Sequence, residues 1–481
     1  MLPTITVDVG TTSIKLCFFD AEGRLLESGR VPTPTLEDTW GEVYDVDALV
    51  EAVVTFAGDL SDPQRTSVAR VAVTAVGESG GLVRSDGTLA SPLILWHDHR
   101  GASYLDSLDE SARARIYEVT GLPVNANYGL SKIAWAVDQA AGDLGDAQWL
   151  NVAEYLAARM TGQRWAEPSL ASRTMALDLG SGSWSEDVLG KLGLQKSILP
   201  ELRPASAGSV MNPTFAAASG LSPDVFVHVA GHDHMVGAVG AELLPGELLN
   251  STGTTEGLLF LRDLPSLDDH FATSKLANGI SCTGEGFTLF ASIPTGGSAF
   301  ATLQTMLDLD AETITERIAG LHARYLAGDV DLDAAPLFLP QFRGSPPPTK
   351  DASARGSIVG ISPTTTSDDI ILGCFLGMVL QFRDVLELFR AAPTRIKVIG
   401  PASRNLLWLQ LKADLLGTPL SVSTFPEVVS RGAQSLASGA AGSWLSCDPF
   451  DVTDEQQRSL RIQAWADRVR ERWDYLKGVP S

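Results

Sequence analysis

The chain has 481 residues, too many for one hydrophobic core, so two domains are expected. Hydrophobic residues make up 44% and charged residues 20%, the profile of a soluble globular protein. A formal net charge of −22 argues against nucleic acid or an anionic membrane surface as the main partner, although local backbone amides can still hold a phosphate group.

The N-terminus, MLPTITVDVG, has neither a basic n-region nor a long apolar h-region, so no signal peptide is visible. The longest apolar stretch, IILGCFLGMVL from Ile370, is too short to span a bilayer. Cys17, Cys282, Cys374 and Cys447 are scattered and form no CxxC. They read as reduced core residues of a cytoplasmic enzyme.

In chain order, ITVDVG reads as a strand with Ile5 and Val7 apolar, and Ile14, Leu16 and Phe18 mark a second strand after the tip GTTS. Asp20 to Gly23 is a turn, and RLLESGRV is a third strand of the meander. A Walker A loop runs from strand to helix and carries GK[ST]; here the tip joins two strands and that motif is missing. VARVAVTAVG from Val68 and SPLILW from Ser91 read as buried strands. NVAEYLAARMTG from Asn151 is a helix stopped by Gly162. VFVHVAG from Val225 is a strand, and HMVGAVGAEL continues as a helix. Leu243 to Gly246 marks the expected boundary between domains 1–243 and 244–481.

The second half opens like the first. A strand from Glu247 to Asn250, a Gly253-Thr254-Thr255 tip and a strand from Gly257 to Leu261 form another hairpin. FRGSPPPTKDASARGS from Phe342 is a loop, and IKVIG is a strand. LLWLQLKADLLG is a helix closed by Gly417 and Pro419, with Leu407, Leu411 and Leu415 on one face. The tail from Asp454 is an amphipathic packing helix.

Glycine lets a ligand approach the backbone, and threonine hydroxyls and amides donate to phosphate oxygens. One GTT tip is equally well a plain hairpin turn; two matched tips, with Asp8 placed to hold a phosphate-bound Mg²⁺, point to phosphate. Asp233 stands where a strand gives way to a helix, the end at which α/β proteins place reactive groups, though an aspartate there also serves as an N-cap. The triplets His97-Asp98-His99 and His232-Asp233-His234 raise a metallohydrolase alternative, which leaves the paired tips unexplained. Gly296-Gly297 is a turn that either approaches a nucleotide or ends a strand. The small residues Gly400-Pro401-Ala402-Ser403, before the helix cap Asn405, leave room for a flat ring such as adenine.

Order and spacing together resemble the FGGY carbohydrate kinases, relatives of glycerol kinase and xylulokinase. VDVGTTSIK is similar to that family's first phosphate motif, GHDHMVGAVG to the segment with its catalytic aspartate, STGTTEG to its second phosphate motif, and IGPASRNLLWLQLKADLLG to its adenosine motif. LILWHDHR resembles the tryptophan-containing stretch with Asp98 and Arg100. EPSLASRTMALD from Glu167 nearly matches the family's DPSLASRTMALD, and the loop from Phe342 stands where GERTP is usual. Gly400-Pro401-Ala402 replaces the usual glycine triplet. At the sugar-facing position, glycerol kinases carry arginine-glutamate and xylulokinases methionine-histidine; here Gly77 precedes Glu78-Ser79.

The resemblance implies an α/β fold of two actin-like, ribonuclease H-type domains with a cleft between them. It implies ATP bound by Gly10, Thr11, Thr12, Ser13, Lys15, Gly253, Thr254, Thr255, Gly296, Gly297, Gly400, Pro401, Ala402, Ser403 and Asn405. Glu78, Ser79, Trp96, Asp98, His232 and Asp233 would face the acceptor, with Asn127, Tyr128 and Lys132 nearby. Asp233 would be the general base, and Asp8 and Asp233 would position Mg²⁺. The expected reaction is phosphorylation of a small sugar or sugar alcohol, a ketopentose such as xylulose or ribulose. Alternatives are glycerol, a tetrose or a tetritol as acceptor, or a non-catalytic nucleotide or sugar sensor on the same fold. No nucleic acid or membrane partner is expected, and self-association as a homodimer is left open.

Overall fold

The computed structural model describes residues 1–140 and 144–479. Strand β1 (Thr4–Val9) pairs antiparallel with β2 (Ser13–Phe19), and β2 with β3 (Leu25–Pro32), so the meander forms. β4 (Arg70–Ala75) runs parallel to β1. The short β5 (Ser209–Val210) edges β6 (Phe226–His232), which runs parallel to β4. The six-stranded order is β5-β6-β4-β1-β2-β3. Every residue of β1 is buried, Thr4, Thr6 and Asp8 included, because layers cover both faces of the sheet.

The second lobe repeats this scheme. β7 (Leu248–Thr252) pairs antiparallel with β8 (Glu256–Arg262). β9 (Ala277–Ile280) edges β10 (Phe287–Ile293), which pairs antiparallel with β8. β11 (Ile396–Ile399) lies parallel to β7 and β12 (Leu420–Ser423) parallel to β11, with β13 (Pro449–Val452) on the edge. In both lobes a three-stranded meander is extended by two parallel strands, the ribonuclease H arrangement that the family resemblance implies.

Capping residues set the helices. Asn151 and Glu154 close a capping box at the start of α1 (Val152–Thr161), and Gly162, at φ 76°, ends it. α2 (Asp233–Gly240) follows β6 and stops short of the expected Leu243, the chain turning at Glu242 with φ 47°. α3 (Ser298–Leu307) and α4 (Ser367–Glu387) belong to the insertion between β10 and β11. Asn405 caps α5 (Leu406–Leu416), its side chain accepting from the Trp408 amide at 3.1 Å. Leu407 to Leu415 are all buried, not only the expected leucine stripe, because α5 lies between α4 and α7 (Gln456–Lys477). Ile462, Trp465, Val469 and Trp473 fix the tail helix α7 to that core.

SPLILW is not a strand. Leu93, Ile94 and Leu95 are buried, but Ile94 makes only single bridges, to Gly80 and Val43. Pro92 has no amide to give a ladder, and Gly81–Val83 pairs instead with Gln148–Leu150.

α6 (Val428–Ser438) follows β12 as α2 follows β6. It packs along α2 and against β1, β2 and β4 of the first lobe. The two helices meet backbone to backbone: a Cβ on Gly240 would lie 2.0 Å from the Val428 carbonyl oxygen, and one on Gly432 2.1 Å from that of Val236.

Candidate active site

The carboxyl ends of β1, β4 and β6 lie side by side. Asp8 pairs with Thr74 in register, and Thr74 with Gly231. The ladder slips between Val229 and Gly231, a bulge that re-aims the end of β6. Gly231, at φ 122°, must be glycine here, since a Cβ would sit 2.4 Å from the Ser169 hydroxyl. The Ser169 hydroxyl is the acceptor for the His232 amide at 2.9 Å. Asp233 comes next, at the mouth of the strands.

The Asp233 carboxylate does not act as a helix cap. It accepts from the adjacent His234 amide at 2.6 Å and stands 3.4 Å from His232 Nε2. Burial pushes its acidity down, raising its pKa above the usual carboxylate range, and the negative charges of Asp8 and Glu78 push the same way. His232 is held neutral by burial and by the nearby Arg173 charge, and its Nδ1 has no partner. Asp8 is 2% exposed. Its Oδ2 accepts from Lys15 Nζ at 3.2 Å, whereas Oδ1 is buried without a partner. Lys15 also faces Glu427 at 3.7 Å, and Asp8 chiefly raises its pKa. A buried, unpaired carboxylate oxygen close to a second carboxylate is a donor set suited to a hard divalent cation. Among the described residues no group of three or more His, Cys, Asp or Glu could hold a metal, so the two HDH triplets do not assemble a hydrolase-type centre.

The first tip is closed by the Gly10 amide donating to the Ser13 carbonyl at 3.1 Å, and leaves Thr11 and Thr12 exposed. Trp96 donates from its indole to the Thr11 hydroxyl at 2.9 Å, and Arg30 donates to Ser13 Oγ at 2.9 Å. Asp98 has both oxygens engaged by Arg100, which organises the WHDHR turn; Lys132, fully buried, donates to the Trp96 carbonyl at 2.9 Å. Ser79 is buried, its hydroxyl accepting from Asn151 Nδ2 at 3.2 Å. Asn127 contacts His99, and the Tyr128 ring lies beside Arg173.

Glu78 has a partner that the sequence did not reveal. Arg173 donates from Nε and Nη2 to Glu78 Oε1 at 3.0 and 2.7 Å. A Cβ on Gly77 would fall 2.7 Å from Arg173 Cγ and 2.5 Å from His232 Cδ2, so Arg173 and His232 fill the space that a side chain at 77 would need. The cation beside Glu78 thus comes from the segment RTMALD, about a hundred residues further along the chain. A glycine directly before Glu78, plus a lone cation in a run of small and apolar residues, were the available signals.

On the second lobe, the amides of Gly296 and Ser298 donate to the Thr254 carbonyl at 3.1 and 3.2 Å, and that of Gly297 to the Gly253 carbonyl at 2.8 Å. Cβ atoms at 296 and 297 would meet the tip backbone at 2.6 and 2.8 Å, so these glycines dock the tip onto α3. Gly400, at φ 99°, comes equally close to Thr252, and Ala402 touches Gly297. Pro401 to Arg404 form a single 3₁₀ turn, with the Ser403 hydroxyl donating to the Gly400 carbonyl. Tip, glycine pair and small-residue turn are therefore one cluster. The lobes meet where His234 bonds Ser251 at 3.0 Å, beside Asp233 and two residues before Gly253.

The family model described as "FGGY family of carbohydrate kinases, N-terminal domain" matches residues 4–240, and its C-terminal counterpart matches residues 248–441. The chain belongs to the FGGY family of carbohydrate kinases. It is similar to the glycerol kinase of Bordetella parapertussis, 29% identical over 97% of this chain and 94% of that protein. Among solved structures, this FGGY kinase superposes on the ligand-bound xylulose kinase of Lactobacillus acidophilus with TM-score 0.87 at 19% identity, covering 99% of both chains. The Plasmodium falciparum glycerol kinase with ADP gives TM-score 0.83 at 19% identity over 98% of each chain. These likenesses fix the two-lobed kinase fold. Among the described residues no helix is long and apolar enough to cross a membrane, and all four cysteines are free and buried.

Proposed function

We propose that this kinase transfers the γ-phosphoryl group of ATP to a hydroxyl of a small sugar or sugar alcohol, with Asp233 as general base. The observation that carries the reading is the placement of Asp233. It is held within the field of Asp8 at the mouth of the parallel strands, and its neighbour His234 is tied to the strand leading into the second tip. Asp233 takes the acceptor proton, the freed oxygen bonds to the γ-phosphorus, and the bond to the β,γ-bridging oxygen breaks to release ADP. The tips, together with Gly296, Gly297 and the Gly400 to Asn405 turn, would cradle the phosphates and adenosine. Asp8 and Asp233 would hold Mg²⁺, which supplies charge neutralisation to the phosphates when bound. Glu78 would accept from a substrate hydroxyl through Oε2, since Arg173 binds only Oε1. A ketopentose and glycerol, the acceptors suggested by the sequence and by the names of relatives, are the reference substrates.

ADP release with a panel of sugars and polyols, with and without Mg²⁺, tests the proposal. A kinase needs ATP, Mg²⁺ and an acceptor together. ATP binding with no ADP formed from any acceptor would instead establish a sensor.

A further inference from the structure

We infer that Ser169 and Thr74 are positioning residues for Asp233: their hydroxyls hold the two polar atoms of one peptide group, Gly231–His232, directly before the base, and Glu167 orients the Ser169 hydroxyl. This rests on the kinase reading above.

The carbonyl of Gly231 and the amide of His232 belong to the same planar unit. Thr74 donates from its hydroxyl to that carbonyl at 2.7 Å, and the amide donates to the Ser169 hydroxyl at 2.9 Å. Both side chains are fully buried, so water does not compete for either bond. The unit is gripped from two directions, by β4 beside Asp8 and by the segment that carries Arg173. The φ of 122° at Gly231 favours glycine, and a Cβ there would also fall 2.9 Å from Glu167 Oε2. A backbone held in so sparse a region persists only where its surroundings over-determine it.

The Ser169 oxygen is occupied by the amide it accepts, so its own proton turns to Glu167 Oε2. That oxygen is fixed in turn by the amides of Ser169 and Leu170, at 2.8 and 3.1 Å. Capping the short turn Pro168–Ala171 needs only those two amides. The hydroxyl bond is additional, and it is the one that reaches β6. The Glu167 amide donates to Glu154 Oε1 at 3.0 Å, and Glu154 Oε2 accepts from the Asn151 amide at 2.7 Å. Asn151 Nδ2 donates to the carbonyls of Val76, Gly77 and Ser79 at 3.0, 3.0 and 3.1 Å. One buried network therefore sets the turn that bears Glu78 as well as the peptide that precedes Asp233.

A general base must meet its proton within hydrogen-bond reach. Asp233 follows His232 immediately, so a tilt of the clamped peptide passes straight to its carboxylate. A displacement of about 1 Å at a reacting group costs about 10²-fold in rate.

The test is a cycle of variants of the full chain, read as kcat and KM for ADP release with the fastest acceptor of the sugar and polyol panel. Ser169→Ala deletes one oxygen and keeps the cap of the Pro168–Ala171 turn. It should lower kcat by about tenfold or more, while KM for ATP and for the acceptor stays within about twofold. In an Asp233→Ala background the same change should cost less than about twofold, because its effect passes through the base. Thr74→Val frees the other end of the same peptide, is read identically, and carries the test if Ser169→Ala does not fold. An unchanged kcat, a loss confined to KM, or an equal loss with and without Asp233 overturns the inference while the kinase reading stands. Absence of turnover by the unaltered chain with every acceptor removes the kinase reading instead.

Discussion

The two lobes share one topology and divide the chemistry unequally. Each begins with a hairpin tipped by Gly-Thr-Thr, and each sends a helix from the end of its outer parallel strand into the interface. Two residues before the tip, the first lobe has Asp8 and the second has Ser251. After its outer parallel strand the first lobe has Asp233, the second Glu427, which lies 3.7 Å from Lys15, the partner of Asp8. After the inner parallel strand the first lobe offers Glu78 and the second the small-residue turn from Gly400. The same scaffold positions therefore carry carboxyl groups at all three places in the first lobe and at only one, Glu427, in the second. Topology fixes where a site can be, and the residues at those positions decide what it does.

The sharpest way to break this contrast is to exchange the roles of the two outer-strand acids. Asp233→Ala should lower kcat by about 10² to 10⁴ while a fluorescent-nucleotide titration still shows ATP binding. Glu427→Gln should cost at most about fivefold, the size of a partly screened ion pair. Equal losses would show that the lobes share the chemistry.

The second lobe keeps its own charges for structure. Lys412 and Glu256 form a completely buried ion pair with Asn250, and the ammonium lies over the rings of Phe382 and Trp408 at 4.1 and 4.4 Å. Removing the cation alone strands Glu256, so Lys412→Ala should lose about 3–5 kcal/mol in urea unfolding. The double change Lys412→Met with Glu256→Leu should recover much of that loss. A small effect from Lys412→Ala would mean that the pair does not anchor α5 to the second tip.

Asp8→Asn sharpens the comparison at the tips. It should raise the Mg²⁺ concentration for half-maximal rate by about tenfold or more, whereas Ser251→Ala should not move it. An unchanged Mg²⁺ titration for Asp8→Asn removes that residue from the cation site.

The smallest effect belongs to the insertion behind the first lobe. Glu154 and Glu167 are wholly buried, and burial pushes both up to about 8. A carboxyl whose folded pKa is raised favours folding below its unfolded value, and that contribution is lost as pH rises through the folded pKa. Tm should therefore fall between about pH 4.5 and pH 8, and Glu154→Gln should flatten that slope. A slope identical to wild type would refute it.

Much of this was legible in the sequence because local signals and tertiary outcome agree. The tips, the meanders, the Gly162 stop, the Asn405 cap and the position of Asp233 all follow from short-range patterns. SPLILW misled because burial and strand formation are separate properties, and Pro92 keeps that stretch out of a ladder. Arg173 was hidden for another reason. Its role depends on an empty position about a hundred residues away, at Gly77, and no local pattern records which side chain fills a gap. The Gly296-Gly297 turn read as either an approach to nucleotide or a strand end; in the fold it follows the strand ending at Ile293, and its glycines admit the neighbouring tip.

The crossing of α2 and α6 has a consequence for handling the enzyme. With no side chains between Gly240 and Val428, or between Gly432 and Val236, the junction has no soft layer to absorb an added methyl group. Routine glycine-to-alanine thermostabilisation, helpful in most helices, would here act as a wedge and set the angle at which the jaws rest.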